Sequence, residues 1–207
     1  MHRVEGGTGN FRKNRRFHSL TQAGRSRSNV TSRGLNAAGG VMSLTPTEFR
    51  RAMGCFATGV TIITVDLEGE VDGMTANAFA SVSLDPPLLL VCVDRNARTH
   101  AHLHAKKRFG INILAEDQRA ISEYYARPVR DHQHAEAEAG ARFERTVKGT
   151  PVLNGALAYL ECRLQSTQEA GDHTIFIAEV EEVVVREGDP LLFFRASYVK
   201  IGEKLDD

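Results

Sequence analysis

The stretch DGMTANAFASVSLDPPLLLVCVDRNART, residues 72–99, decides which fold this chain is expected to adopt. It begins with small and hydroxylated residues, breaks at Pro86-Pro87, and continues as the run LLLVCVD over residues 88–94. Apolar side chains at consecutive positions are typical of a strand that is buried on both faces. We therefore predict a buried strand over residues 88–94 that supports the polar segment in front of it.

Strand-like segments occur on both sides of this stretch. The run VTIITVD at 60–66 is rich in β-branched residues, and LEGE provides a turn into a second strand near 71–75, which predicts a hairpin. FGINILA predicts another buried strand, and the C-terminal part contains ALAYLECRLQSTQEA, HTIFIAEVEEVVV and PLLFFRASYVKI. Long strands joined by tight turns favour a mainly β antiparallel barrel over a doubly wound sheet.

Helices are predicted between these strands. In TPTEFRRAMGCFATG, Thr45 is the N-cap and Glu48 completes a capping box. Phe49, Met53 and Phe56 fall on one face of this helix. The segments ARTHAHLHAKKRF and EDQRAISEYYAR predict a short helix and an amphipathic helix, and residues 128–150 are expected to form an exposed excursion.

The 207 residues divide into two parts of opposite charge. Residues 1–42 hold eight Lys or Arg against the single acid Glu5, which leaves 18 basic and 25 acidic residues for 43–207. Because the first part has no apolar period, we expect a disordered basic leader over 1–42 and one domain over 43–207. The leader could also be a transit peptide, a nucleic-acid-binding arm, or sequence upstream of a start at Met42.

Composition also limits the partners and the compartment. The acidic body argues against a nucleic-acid surface, and no apolar run approaches the ~18 residues of a membrane helix. Cys55, Cys92 and Cys162 have no close paired spacing, so we expect free thiols and a cytoplasmic setting.

The polar part of the 72–99 stretch is a candidate binding segment. Small residues let the backbone approach a flat or phosphorylated ligand, and hydroxyl and N–H groups can donate to it. A Ser- and Thr-rich edge strand that bonds only to its neighbours is the alternative.

Histidines and glutamates offer weaker candidates. In a helix only His100 and His104 would share a face, so no metal site is predicted. The polar surroundings of His132 and His134 favour solvated side chains. The Glu181-Glu182 pair is interpreted as a solvated strand end rather than a catalytic dyad.

Several blocks over residues 47–202 together resemble the flavin reductase-like family. These blocks are EFRRAMGCFATGVTIIT, DGMTANAFASVSLDPPLLLVCV, FGINILAEDQ, GALAYLECRL and GDHTIFIAEV, in that order and spacing. The resemblance implies a split β-barrel of Greek-key type, a homodimer, and FMN or FAD in a groove near the subunit interface. It further implies that NADH or NADPH reduces the flavin, which then passes to a partner monooxygenase.

Two other functions remain open for such a chain. One is a non-catalytic flavin-binding carrier or redox sensor on the same barrel. The other is an oxidase similar to the pyridoxamine phosphate oxidases, which would require more basic residues at its phosphate site.

The resemblance also implies roles for individual residues. His173 is expected near the nicotinamide. The segment from Met74 to Ser83 is expected to wrap the flavin, with cofactor contacts from Thr58, Gly59, Thr75, Ala76, Asn77, Ala78, Ser81, Ser83, Arg95, Thr99, Phe109, Asn112, Arg195 and Tyr198. Two positions depart from the family, since Ala78 and Ala97 stand where a serine is frequent. Cys55 replaces a residue that is commonly basic.

Overall fold

The computed structural model describes residues 43–127 and 138–203. The expected leader, His132 and His134 therefore lie outside the described residues. Among the described residues, the α-helices with defined bounds are α1 (Pro46–Met53), α2 (Arg98–Lys106) and α3 (Arg119–Tyr125), with a 3₁₀ turn at Glu116–Gln118 before α3. In the part of the chain described, no helix is long and apolar enough to span a membrane.

Twelve strands make up about half of the described chain. They are β1 (Thr58–Gly59), β2 (Thr61–Leu67), β3 (Glu70–Ala76), β4 (Phe79–Leu84), β5 (Pro87–Asp94), β6 (Arg108–Ile113), β7 (Phe143–Arg145), β8 (Pro151–Leu153), β9 (Ala158–Ala170), β10 (His173–Val185), β11 (Leu192–Phe194) and β12 (Ser197–Val199). The predicted hairpin over 60–75 is confirmed as β2 and β3, which pair from Thr61 and Ala76 to Leu67 and Glu70.

Seven strands form one antiparallel sheet in the order β3-β2-β6-β9-β10-β5-β4. Neighbours that are distant in sequence, such as β2 beside β6 and β10 beside β5, give the Greek-key order of a split barrel. Two small sheets, β1-β11-β12 and β7-β8, complete the fold. The mainly β class predicted from the strand pattern is confirmed.

Strands β2 and β6 are buried on both faces, and β5 is not. Ile63 of β2 belongs to the barrel core, whereas its neighbour Ile62 packs into a second cluster with Tyr124 and Tyr125 of α3. In β5 burial alternates, with Leu89 in the core and the residues on either side of it only half-buried. The prediction for residues 88–94 is wrong in this respect, because α3 covers the outer side of β2 and not that of β5.

Helix α1 starts as predicted but buries none of its residues. The Glu48 amide donates to Thr45 Oγ1 over 3.2 Å, and the Thr45 amide donates to Glu48 Oε2 over 3.0 Å. Its apolar face is open, since Phe49 is 54% exposed, Met53 53% and the following Phe56 70%. This face is available to a partner surface.

Glu181 is an exposed residue that forms several ion pairs. Its carboxylate accepts from Arg108 at 2.6 Å, from Lys148 at 2.7 Å and from Arg163 at 2.8 Å. The hydrogen bond from Arg108, with those from Lys148 and Arg163, lowers the pKa of Glu181 to about 2. Glu181 and Glu182 are both exposed, as the sequence interpretation expected, and Glu181 in addition forms ion pairs at this surface.

Candidate functional site

A mostly apolar cavity of about 300 Å³ lies between the start of β1, the end of β3 and the start of β4. We call it the apolar groove, and it is lined by Phe56, Ala57, Thr58, Gly59, Thr61, Asn77, Phe79 and Ile113. This set of described residues includes no acidic, basic, histidine or cysteine side chain. Its polar groups are instead hydroxyls and one amide, and Asn77 Nδ2 donates to Thr58 Oγ1 over 3.3 Å.

Gly59 leaves part of this groove open. A Cβ atom built on Gly59 would meet no other atom within 4 Å, and the position has no left-handed φ. Because Gly59 lines the groove, any larger side chain there would occupy space that a ligand could use. The backbone itself would tolerate the change, since β1 is extended and pairs Gly59 with Leu192 of β11.

A second cavity of about 320 Å³ is polar and lies where α2 begins. We call it the polar cavity, and it is lined by Met74, Thr75, Asp94, Asn96, Ala97, Arg98, Thr99, Tyr125, Ala126 and Arg127. The turn before α2 is held by Asp94, whose Oδ1 accepts from the Asn96 amide over 2.8 Å. Two guanidinium groups and a helix start are arrangements that suit a phosphate.

Asp72 of β3 holds this end of α2 in place. Its side chain is fully buried and accepts from Arg98 Nη2 at 2.8 Å and from Thr99 Oγ1 at 3.0 Å, and His102 Nδ1 lies 2.7 Å away. Burial alone would raise the pKa of Asp72, but the hydrogen bond to His102 and the charge of Arg98 outweigh it and lower the pKa. Asp72 is therefore an ionised anchor between β3 and α2.

The two cavities bring together some of the residues proposed from the resemblance. Thr58, Gly59 and Asn77 line the apolar groove, and Thr75 and Thr99 line the polar cavity. Between them, Ala76 is buried and Ala78 is exposed. The sequence therefore placed these candidate residues along one path from a groove to a cavity.

Other proposed residues lie away from both cavities. Ser81 and Ser83 are on β4, on either side of an irregularity in its pairing with β5. The exposed Arg95 lies 3.7 Å from Glu169, an ion pair at the surface. Tyr198 OH is 2.8 Å from Ser122 Oγ, and the carbonyl of the same Ser122 accepts from the Thr75 hydroxyl.

The prediction that Phe109 and Asn112 contact a cofactor is wrong. Both residues are fully buried. Phe109 is part of the barrel core, and the Asn112 amide donates to the Ile62 carbonyl and to Thr64 Oγ1 while its oxygen accepts from the Leu153 amide. Asn112 uses its hydrogen bonds to join strands, so it has none for a ligand.

His173 begins β10 and is half-exposed. Its Nδ1 lies 2.8 Å from Asp172 Oδ1, and this hydrogen bond lowers the pKa of Asp172. His173 pairs across the sheet with Asp94, which lines the polar cavity. The imidazole is thus oriented by its neighbour in the turn and lies beside, not within, the two cavities.

Two of the three histidines of α2 share a partner, whereas His102 contacts Asp72. His100 and His104 share a face, as predicted, with ring centroids 4.8 Å apart and both packed on Phe176. Burial and the nearby His104 lower the pKa of His100. Over residues 43–127 and 138–203, no group of three or more His, Cys, Asp or Glu side chains could hold a metal ion.

Some site residues were missed by sequence reasoning. Phe56 and Phe79 supply the aromatic walls of the apolar groove, and both stand inside the blocks that carry the family resemblance. Arg98 precedes Thr99 directly and could have been proposed with it. Asp72 gave no local signal, because an acid in a hairpin strand is ordinary until its partner His102 is known.

Known proteins match both the sequence and the fold. A profile of the flavin reductase-like domain matches residues 53–202. An NADH-dependent flavin reductase from a Rhodococcus species is 40% identical over 158 residues, covering 75% of this chain and 86% of the relative. The reductase component of a 4-nitrophenol 4-monooxygenase/4-nitrocatechol 2-monooxygenase from Rhodococcus opacus is 39% identical over 151 residues, or 73% and 78% of the two chains. An NADH:FAD oxidoreductase of Streptomyces globisporus, solved with NAD and FAD fragments, has a TM-score of 0.72 and 33% identity, covering 80% of this chain and 100% of that one.

Proposed function

Because the chain belongs to the flavin reductase-like family, we propose that it reduces FMN or FAD with NADH and releases the reduced flavin to a separate monooxygenase. The match over residues 53–202 supports the family, and the names of the relatives support reduction by NADH over a carrier or sensor role. The observation that carries the proposal is the apolar groove beside the polar cavity, joined by the Thr75–Asn77 segment.

The residues present fit a flavin in both shape and polarity. Phe56, Phe79 and Ile113 offer apolar surface to a flat ring, and the missing side chain at Gly59 leaves room for it. Thr58 and Asn77 can bond to polar ring atoms. Arg98 and Arg127, with the first amides of α2, suit the phosphate end of the ligand.

The chain acts by orienting its ligands rather than by acid–base chemistry. A reduced nicotinamide and a flavin, once bound, supply the hydride donor and acceptor themselves. The apolar groove keeps water from the reacting faces and holds the ring in one plane. We propose that His173, oriented by Asp172, contacts the nicotinamide, which fits its half-exposed position at the start of β10.

We also propose that the protein is a homodimer. On the face of the sheet opposite the core, Leu90 pairs with Ile177 and Cys92 with Ile175, and all four are half-buried in the single chain. Apolar residues at consecutive positions of β5 are explained if a second copy covers this face. The exposed apolar face of α1 adds surface of the same kind.

Residues 1–42 are proposed to be a leader outside the catalytic domain. A chain that starts at Met42 keeps the capping box of α1 and every residue that lines the two cavities. We expect such a chain to fold and to reduce flavin like the full chain. Loss of solubility or activity on truncation would contradict this proposal.

The function is tested by mixing the purified protein with FMN or FAD and NADH without oxygen and following the absorbance of NADH. We expect oxidation of NADH only when both protein and flavin are present. Ultrafiltration then separates free from bound flavin, and we expect the reduced flavin in the filtrate. Reduced flavin that stays with the protein would indicate a carrier, and flavin binding without NADH oxidation would refute the reductase.

A further inference from the structure

We propose that a third cavity, formed by the end of α1 and the turn between β11 and β12, binds the adenosine diphosphate half of a dinucleotide. This basic cavity has a volume of about 450 Å³ and is lined by Arg50, Arg51, Gly54, Cys55, Arg195 and Ala196. The choice of a dinucleotide as the ligand rests on the proposed function. The cavity is seen in the structure independently of that function.

Three arginines line this cavity, and no carboxylate is among the residues that line it. The guanidinium carbon of Arg195 lies over the Phe194 ring, 5.0 Å from its centroid. Most other arginines of the described chain are paired, as Arg98 is with Asp72 and Arg163 with Glu179, and the exposed Arg186 is an exception. Among residues 43–127 and 138–203, no ion pair is recorded for Arg50, Arg51 or Arg195. Arginines without a carboxylate partner around one concave surface favour an anion, because each can form two parallel bonds to a phosphate.

The position of Arg50 and Arg51 has a simpler explanation on its own. Both lie in the last turn of α1, where the helix carbonyls attract cations. Arg195 does not have this explanation, since it comes from the hairpin turn at the other end of the chain. Its amide donates to the Gly54 carbonyl over 2.9 Å, and this bond holds the turn against the end of α1.

The turn that carries Arg195 is strained. Arg195 has φ 48° and Ala196 has φ 61°, so both central residues of this two-residue hairpin turn are left-handed. Such turns favour Asn-Gly, because side chains with a Cβ adopt this conformation at a cost in energy. Backbone strain of this kind is concentrated at binding sites, where a side chain has to be held in one direction.

The neighbourhood of the cavity indicates which anion would bind. Gly54 and Cys55 directly precede Phe56 and Ala57, which line the apolar groove. An extended ligand whose ring lies in the groove would therefore have its phosphates within reach of the arginines. Both NADH and FAD carry an adenosine diphosphate group of this kind, whereas FMN and reduced nicotinamide mononucleotide do not.

Binding can be measured without the reaction, because Cys55 lines the cavity and is exposed, whereas Cys92 is half-buried and Cys162 is buried. We would treat the full chain with iodoacetamide and follow each cysteine by peptide mass spectrometry while ADP is titrated. We expect ADP to slow the alkylation of Cys55 and to leave the other two cysteines unchanged. Alkylation of Cys55 that is independent of ADP overturns the proposal.

Variants of the arginines make the test specific. Arg50→Gln and Arg195→Gln should each weaken protection by ADP about tenfold, as expected for loss of one hydrogen bond to a charged group. Arg186→Gln is the matched control, since Arg186 is exposed and lies outside the cavity. Equal protection in all three variants would contradict the assignment.

A double variant separates binding from stability. Arg195→Asn with Ala196→Gly gives the turn its preferred residues, so we expect a higher Tm together with weaker protection by ADP. Unchanged protection by ADP would show that Arg195 has no part in binding, and a lower Tm would show that the turn is not strained.

Kinetic measurements identify the source of the diphosphate. If the cavity takes NADH, Arg195→Gln raises KM for NADH but not for reduced nicotinamide mononucleotide. If the variant instead raises KM for FAD but not for FMN, the diphosphate of FAD lies in the basic cavity and not in the polar cavity. No change in either KM overturns a dinucleotide site. A wild-type protein that oxidises no NADH would refute the reductase, and protection of Cys55 by ADP would still be measurable.

Discussion

Replacing Asp72 by Asn should loosen the start of α2 and damage both stability and flavin binding. The carboxylate is fully buried, accepts from Arg98 and from Thr99, and lies 2.7 Å from His102. An asparagine keeps one acceptor oxygen but turns an NH₂ group toward groups that are themselves donors. The substitution therefore breaks a charged hydrogen bond at a buried carboxylate and adds a repulsive contact.

The magnitude of the effect of Asp72→Asn follows from the number and type of the bonds. Hydrogen bonds to a charged group contribute about 1.5–3 kcal/mol each, and breaking a buried pair costs about 3–5 kcal/mol. Because Arg98 is half-exposed and can regain water, we expect about 3 kcal/mol less free energy of unfolding. For a chain of this size that lowers Tm by about 6–12 °C.

The pH dependence of this stabilisation has a defined sign. The pKa of Asp72 is lowered in the folded protein, so its contribution is complete above the unfolded pKa of about 3.9 and is lost as the pH falls through the folded value. The difference between Asp72→Asn and wild type should thus be largest near neutral pH. It should shrink as the pH falls below about 4.

Chemical denaturation at neutral and acidic pH, with a flavin titration alongside, measures these effects. We expect flavin affinity to fall about tenfold, because Arg98 and Thr99 both line the polar cavity. Asp66→Asn is the matched control, since its pair with Arg145 lies at the surface and should contribute under about 1 kcal/mol. If the two variants were equally stable, the role given to Asp72 would be refuted.

Further expectations concern the groove, the nicotinamide and the dimer. Gly59→Val should keep Tm close to that of wild type but weaken flavin binding at least about tenfold, because the new side chain fills the groove. The control Gly202→Val, where a Cβ also meets no other atom, should change neither Tm nor flavin affinity. Equal flavin affinity in both variants would contradict flavin binding in the groove. His173→Ala should lower kcat/KM for NADH about 5- to 30-fold with little effect on flavin affinity, and an unchanged dependence on NADH would make His173 a turn residue only. Ile177→Glu should give a monomer in sedimentation, and Val147→Glu, at an exposed loop position, should not; a wild-type protein that is monomeric and fully active would rule out the dimer.

The parts of the fold that depend on residues close together in the sequence could be predicted. The capping box at Thr45 and Glu48 and the hairpin of β2 and β3 follow from signals within a few positions. Partners distant in the chain could not be found this way. Asn112 looks like a polar strand residue until Ile62 and Leu153 are brought beside it, and nothing local indicates that α3 covers β2 and not β5.

The candidate site shows the same difference between what the sequence could predict and what depends on contacts distant in the chain. Thr58, Gly59 and Asn77 could be proposed because the family resemblance aligns individual positions, and all three line the apolar groove. The resemblance alone could not show that Asn112 points inward, since a motif does not state which face of a strand is buried. The polar cavity also depends on Asp72, whose role exists only through contacts with α2.

Strand β4 has a consequence for how this protein behaves in concentrated solution. It stands at one end of the seven-strand order, with Val82 47% and Leu84 95% exposed. An edge of this kind is a template on which another chain can add a strand and start an aggregate. The irregular pairing at Ser81 and Ser83 and the prolines that follow act as gatekeepers against such growth. Ser81 and Ser83 of β4 therefore have to stay polar to prevent aggregation. Because Phe79 of the same strand lines the apolar groove, this requirement limits how far β4 can be changed to fit a different ligand.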